Sequence, residues 1–113
     1  MNVQTLIHDL IEKINQKPEQ LSGMNTVIQF DLQGEGTSTY QVKVHDGRAE
    51  LSTGETNEAK AIFSLSDQDF IKLVQGSLNP TTAFMMGKVK IKGDLGAAMK
   101  LQSLLKAYQD GGL

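Results

Sequence analysis

The chain has 113 residues, 39% hydrophobic and 21% charged, a composition that supports one packed core and excludes a disordered polyelectrolyte. Eleven basic residues against thirteen acidic ones leave a formal charge of −2, which argues against a nucleic-acid binder with its usual surplus of Lys and Arg. Cysteine is absent, so disulfides, zinc ribbons, iron–sulfur clusters and thiol catalysis are excluded together.

The opening segment reads as a helix. Val3, Leu6, Ile7, Leu10, Ile11 and Ile14 recur at helical spacing and form one apolar stripe, and Pro18 ends the pattern. Asp9 and Glu12 interrupt this stretch, unlike the apolar run of a signal peptide. No run approaches the roughly 18 apolar residues of a membrane span. A cytoplasmic location is the resulting expectation.

From Asn25 the period changes to two. Ile28, Phe30 and Leu32 alternate with polar residues, Gly34-Glu35-Gly36 breaks the run, and Tyr40, Val42 and Val44 resume it. Asp46-Gly47 is a two-residue hairpin signal, followed by a short strand with Ala49 and Leu51 inward. After a turn-rich stretch over 52–57, Ala61, Phe63 and Leu65 mark a fourth strand. Each strand has a single apolar face, which predicts a largely antiparallel sheet with its other side in water.

Helices then take over. Ser66-Asp67-Gln68-Asp69 resembles a capping box ahead of Phe70, Leu73 and Val74, with Gly76 as the stop. Asn79-Pro80 opens a short helix carrying Ala83, Phe84, Met85 and Met86. Val89 and Ile91 alternate with Lys88, Lys90 and Lys92 as a last strand, and Asp94 caps a final helix through about Tyr108. The order predicts a single α+β domain over residues 1–113, with helices gathered on one face of a five-stranded sheet.

Few residues invite chemistry. Gly87-Lys88 is not a phosphate loop, because Thr82 and Val89 stand where a glycine and a hydroxyl residue are required. His8 and His45 lack the spaced partners of a metal or acid–base site, and Asp67 and Asp69 are accounted for by a helix N-terminus. The lysine row at 88, 90 and 92 reads as a solvated sheet face, with transient attraction to an anionic membrane surface as the alternative. The informative feature is apolar. On the final helix Ala97, Ala98, Leu101, Leu104, Leu105 and Tyr108 form one arc, with Leu95 and Met99 outside it. Together with Phe70, Leu78, Phe84, Met85 and Met86, the second half carries more flexible apolar bulk than its short helices require, and periodicity leaves core and cavity both open.

The residues from Asp69 to Leu101 resemble the sterol carrier protein 2 family. The specific matches are Asn79-Pro80, Ala83-Phe84, Gly87-Lys88 with an alternating strand behind it, and Ala98-Met99-Lys100-Leu101. The first 57 residues match in element order only. The resemblance implies a five-stranded mixed sheet of order 3-2-1-4-5 covered on one face by helices, with a hydrophobic tunnel between the layers. It also implies a non-covalent carrier of fatty acid, fatty acyl-CoA, phospholipid or sterol-like ligands, with no catalytic residue, cofactor or metal. The residues placed along such a tunnel are Phe63, Phe70, Phe84, Met85, Ile91, Met99, Leu101, Leu104 and Leu105. The chain ends Gln109-Asp110-Gly111-Gly112-Leu113, unlike the peroxisomal Ser-Lys-Leu address, so the expectation is a free-standing cytoplasmic protein. The alternative is a non-catalytic accessory module for enzymes of lipid metabolism.

Overall fold

The structure is a computed structural model and describes residues 2–34 and 36–110. Glu35, in the break read between the first two strands, and the terminal Gly111, Gly112 and Leu113 lie outside the described residues, as does Met1.

Helix α1 (Val3–Gln16) begins where the Asn2 side chain accepts a hydrogen bond from the Thr5 N–H at 2.8 Å. Its six stripe residues, Val3 to Ile14, are all buried. A 3-10 turn, Pro18–Leu21, then buries Leu21 and leads into the sheet. The strands are β1 (Thr26–Gly34), β2 (Gly36–His45), β3 (Arg48–Thr53), β4 (Ala61–Ser66) and β5 (Lys90–Gly93). They form one sheet in the order β3-β2-β1-β4-β5. Asp46 and Gly47 both take positive φ, 52° and 73°, the backbone a tight β2–β3 hairpin needs.

The sheet is mixed. β1 pairs with β4 in parallel, and the other three pairings are antiparallel. Residue periodicity predicts a largely antiparallel sheet, and the single parallel pair is the refinement: the segment after β3 carries the chain back so that β4 enters alongside β1 in the same direction. Ile28, Phe30 and Leu32 of β1 and Ala61, Phe63 and Leu65 of β4 are buried on the helix-covered face.

Three helices complete that cover. In α2 (Asp67–Gln75) the Ser66 hydroxyl accepts from the Asp69 N–H at 3.0 Å, and Gly76 closes the helix at φ 86°. The Asn79 side chain caps α3 (Pro80–Met85), whose only buried residue is Ala83. Asp94 caps α4 (Leu95–Gln109) through the Gly96 N–H at 2.8 Å. Between β5 and α4 the chain requires Gly93: its φ is 97°, and a Cβ there would run into the Lys60 carbonyl. The same close approach lets the Asp94 N–H donate to the Lys60 carbonyl at 2.8 Å, which fixes where α4 starts.

The opposite face of the sheet is not simply solvated. Gln29 and Gln41, at alternate positions that read as water-facing, are buried at 3% and 0% exposure. Gln41 Nε2 donates to Gln29 Oε1 and to the Asn57 carbonyl, both at 2.8 Å, and its Oε1 accepts from the Asn57 N–H at 3.0 Å. The segment between β3 and β4 therefore folds over the outer face and is held by one amide. Replacing Gln41 with Leu should lower stability by about 1–3 kcal/mol, because the Asn57 N–H loses its partner. Amide exchange should accelerate over residues 55–58 and stay unchanged in α4, as hydrogen-exchange mass spectrometry would show.

Candidate functional site

The site is built from aromatic rings that cannot flatten into one another. Phe30 of β1 stacks on Phe63 of β4 with ring centroids 5.6 Å apart and meets Phe70 of α2 edge-on at 5.3 Å. Above this floor, α4 presents Ala98, Leu101 and Leu105, while Val89 and Ile91 close the β5 side. Small Ala98 leaves space where a larger side chain would fill it. The result is an apolar cleft of about 40 Å³ in which Gln102 is the only polar lining residue among those described.

A second void of about 20 Å³ lies toward the β2–β3 side, lined by residues including Ile7, Ile28, Val42, Ala49 and Leu104. Leu10, Phe30 and Leu101 line both voids and stand between them. A single water needs roughly 10–15 Å³ of such space, so each void holds no more than a few atoms as it stands. The apolar passage is present in outline and narrow, and a long chain would enter only as α4 and Leu101 yield.

Of the residues expected to line a tunnel, the structure brings Phe63, Phe70, Ile91, Leu101 and Leu105 to the larger void and Leu104 to the smaller. Phe84, Met85 and Met99 lie outside both, at 51%, 80% and 71% exposure. In α3 the buried face is Ala83 alone, and Met99 stands on the side of α4 opposite Ala97, Leu104 and Leu105. Leu10, Phe30, Leu73, Val74 and Pro80 are lining residues that sequence reasoning does not select. Phe30 carries a usable signal, since it alternates on the same face as Ile28 and Leu32.

Helix α4 is held at both ends. At its C-terminal end the Tyr108 hydroxyl donates to Asp9 of α1 at 2.5 Å, and Gln109 Nε2 donates to the Leu73 carbonyl of α2 at 2.8 Å. At its start, the bond from Asp94 to Lys60 ties the helix to the edge of β4. Burial, the hydrogen bond to Asp9 and the Asp9 charge together push the Tyr108 phenol up to about 12. The folded state thus resists ionisation that the unfolded chain undergoes near the ordinary value of 10.0.

Polar chemistry is sparse. Among the described residues no group of three His, Cys, Asp or Glu side chains could hold a metal ion. His8 is exposed on α1. His45 differs from the expectation that it has no carboxylate companion: Asp46 lies 3.4 Å and Glu50 3.6 Å away. These pairs sit at the β2–β3 hairpin and line neither void.

A helix-covered mixed sheet enclosing an almost wholly apolar cleft defines a binding domain for apolar ligands. The chain belongs to the SCP-2 sterol transfer family, whose model matches residues 7–106. It is 40% identical over 80 residues to "Hydroxysteroid dehydrogenase-like protein 2" of Xenopus tropicalis, a match covering 70% of this chain and 19% of that protein. The chain thus spans about a fifth of the length of the curated relatives it matches. Among solved structures it superposes on sterol carrier protein domain 2 of Helicoverpa armigera with a TM-score of 0.80 and 25% identity, covering 91% of this chain and 84% of that one. The palmitated SCP2L2 of Aedes aegypti shares the fold at a TM-score of 0.78 and 19% identity, covering 93% and 95% of the two chains.

The Tyr108–Asp9 bond generates a pH prediction. Because the folded-state value is the raised one, its stabilising contribution is complete below pH 10 and is lost as pH rises toward 12. Urea unfolding should therefore show a steeper loss of stability between those values for the native chain than for Tyr108→Phe. Parallel curves would show that the phenol ionises equally easily in both states.

Proposed function

We propose that this domain binds lipids non-covalently by taking an aliphatic chain between α4 and the sheet, and that it acts as a carrier rather than as an enzyme. The observation that carries the reading is the cleft itself, whose lining of Phe30, Phe63, Phe70, Ile91, Leu101 and Leu105 has Gln102 as its sole described polar neighbour. Such a lining gives no charged anchor to a headgroup and favours what can be buried. Each methylene withdrawn from water contributes roughly 0.8 kcal/mol, so affinity accumulates along a chain. Fatty acids, fatty acyl-CoA, phospholipids and sterol-like molecules all present such bulk. The single chain of a fatty acid or acyl-CoA is the form that asks least displacement of α4 from a passage this narrow. The palmitated state of the Aedes aegypti neighbour, which shares the fold, is consistent with that choice.

A second reading rests on the relatives. In proteins described as hydroxysteroid dehydrogenase-like, the matching segment is one part of a much longer polypeptide. There the same domain would serve as a non-catalytic module that binds or presents a lipid to a neighbouring activity. The two readings share the cleft and differ in what receives the ligand.

Titration with saturated fatty acids of increasing length tests the shared part. Affinity should rise by about fourfold per added methylene until the passage is full, following the burial increment. Ala98→Trp should fill the space under α4 and weaken binding at least tenfold. Affinity independent of chain length, or unaltered by Ala98→Trp, would contradict the site.

A further inference from the structure

The large exposed hydrophobic side chains among the described residues are not scattered. Phe84, Met85, Met86, Leu95 and Met99 are each more than half exposed, and all lie in α3, its exit and the start of α4. These segments flank β5, the outermost strand, since Met86 precedes it by one turn and Leu95 follows Gly93 after a single residue. The same margin is the mouth of the larger void, where Pro80 of α3 and Ala98, Leu101 and Gln102 of α4 come together. Single exposed apolar residues are ordinary on a protein surface, but a group confined to one margin marks a contact face.

Charge points to the occupant. Five of the chain's eleven basic residues and only one of its thirteen acidic residues fall between residues 84 and 108. Lys88, Lys90, Lys92 and Lys100 are all exposed, and none forms an ion pair among the described residues. The lone acid, Asp94, is engaged in capping α4. A chain of net charge −2 thus presents one cationic, greasy edge. A second copy of the chain fits this edge poorly, because a symmetric contact would set lysine against lysine. No described helix is long and apolar enough to cross a membrane, so the contact is superficial.

We infer that the α3–β5–α4 margin docks on an anionic lipid surface, with Phe84, Met85, Met86, Leu95 and Met99 entering the headgroup layer and the lysines facing lipid phosphates and carboxylates. The inference deepens the lipid-carrier reading and rests on it, since it places the membrane at the mouth of the cleft. Flexible methionines adapt to an irregular, mobile surface, and long lysine stems let the charge reach headgroups while the apolar tips insert. Each lysine held near such a surface contributes about fivefold to partitioning, and salt screens the effect.

Flotation of the full chain with phosphatidylcholine vesicles, with and without phosphatidylserine, tests the inference. The protein should float with the anionic vesicles and be released by high salt. Lys88→Glu with Lys90→Glu should weaken that partitioning at least tenfold, and Met86→Ser with Leu95→Ser should do so at unchanged charge. Both double variants should retain the melting temperature and the solution affinity for a fatty acid. Absence of vesicle binding, or equal binding by the variants, would overturn the docking surface while leaving fatty-acid affinity to judge the carrier reading on its own. Self-association abolished by the same variants, with no partitioning onto vesicles, would assign the face to a second copy and overturn the inference. Vesicle binding without any fatty-acid affinity would uphold the docking face and refute the carrier.

Discussion

The cleft exists because α4 is fastened at both ends over a floor that cannot rise to meet it. Tyr108 to Asp9 and Gln109 to the Leu73 carbonyl hold one end, and Asp94 to the Lys60 carbonyl holds the other. Beneath the helix, Phe30, Phe63 and Phe70 brace one another at centroid spacings of 5.3 to 5.6 Å. Aromatic rings in such contact resist the small shifts by which aliphatic cores close their gaps. An unfilled apolar gap costs stability, and the same gap is what a ligand chain would fill. Binding and stability are therefore linked: occupancy should relieve the cost that the empty state carries.

Much of this arrangement is written locally. Asn2, Ser66, Asn79 and Asp94 are capping residue types at the starts of their helices, and each side chain accepts the expected backbone hydrogen bond. The stripe on α1 and the alternation in β1 and β4 give the core face residue by residue. Strand direction is a different matter, because a period of two looks the same in parallel and antiparallel neighbours. The order 3-2-1-4-5 comes with the family resemblance and not from periodicity. The burial of Gln29 and Gln41 is also hidden, since an alternating polar residue reads as solvated until a distant segment folds over it. The Tyr108–Asp9 bond joins residues 99 apart and leaves no local trace.

The apolar excess of the second half is legible in amount but divided between two places. Six of the nine residues expected to line a tunnel face one void or the other, while Phe84, Met85 and Met99 turn outward. A six-residue helix is too short for its phase to be read, which is why α3 misleads. Met99 is separable, because it falls outside the arc of Ala97, Leu101 and Leu104 on its own helix. The interior lining suits burial of a chain, whereas the exterior margin mixes greasy residues with lysines. Membership of the SCP-2 sterol transfer family covers the domain. The longer relatives show that evolution also uses it as a part of larger chains.

The central claim is that an aliphatic chain lies between α4 and the aromatic floor. Isotope-filtered NMR on labelled protein with unlabelled palmitate tests it directly, by asking which protein protons lie close to the ligand's methylenes. Cross-peaks are expected to the rings of Phe30 and Phe63 and to the methyls of Leu101, with none to Ala49 or the Asp46-Gly47 hairpin until chains are long enough to pass Leu101. Cross-peaks confined to Phe84, Met85 and Met99 would contradict the claim, placing the ligand on the outer margin and leaving the cleft as unoccupied core.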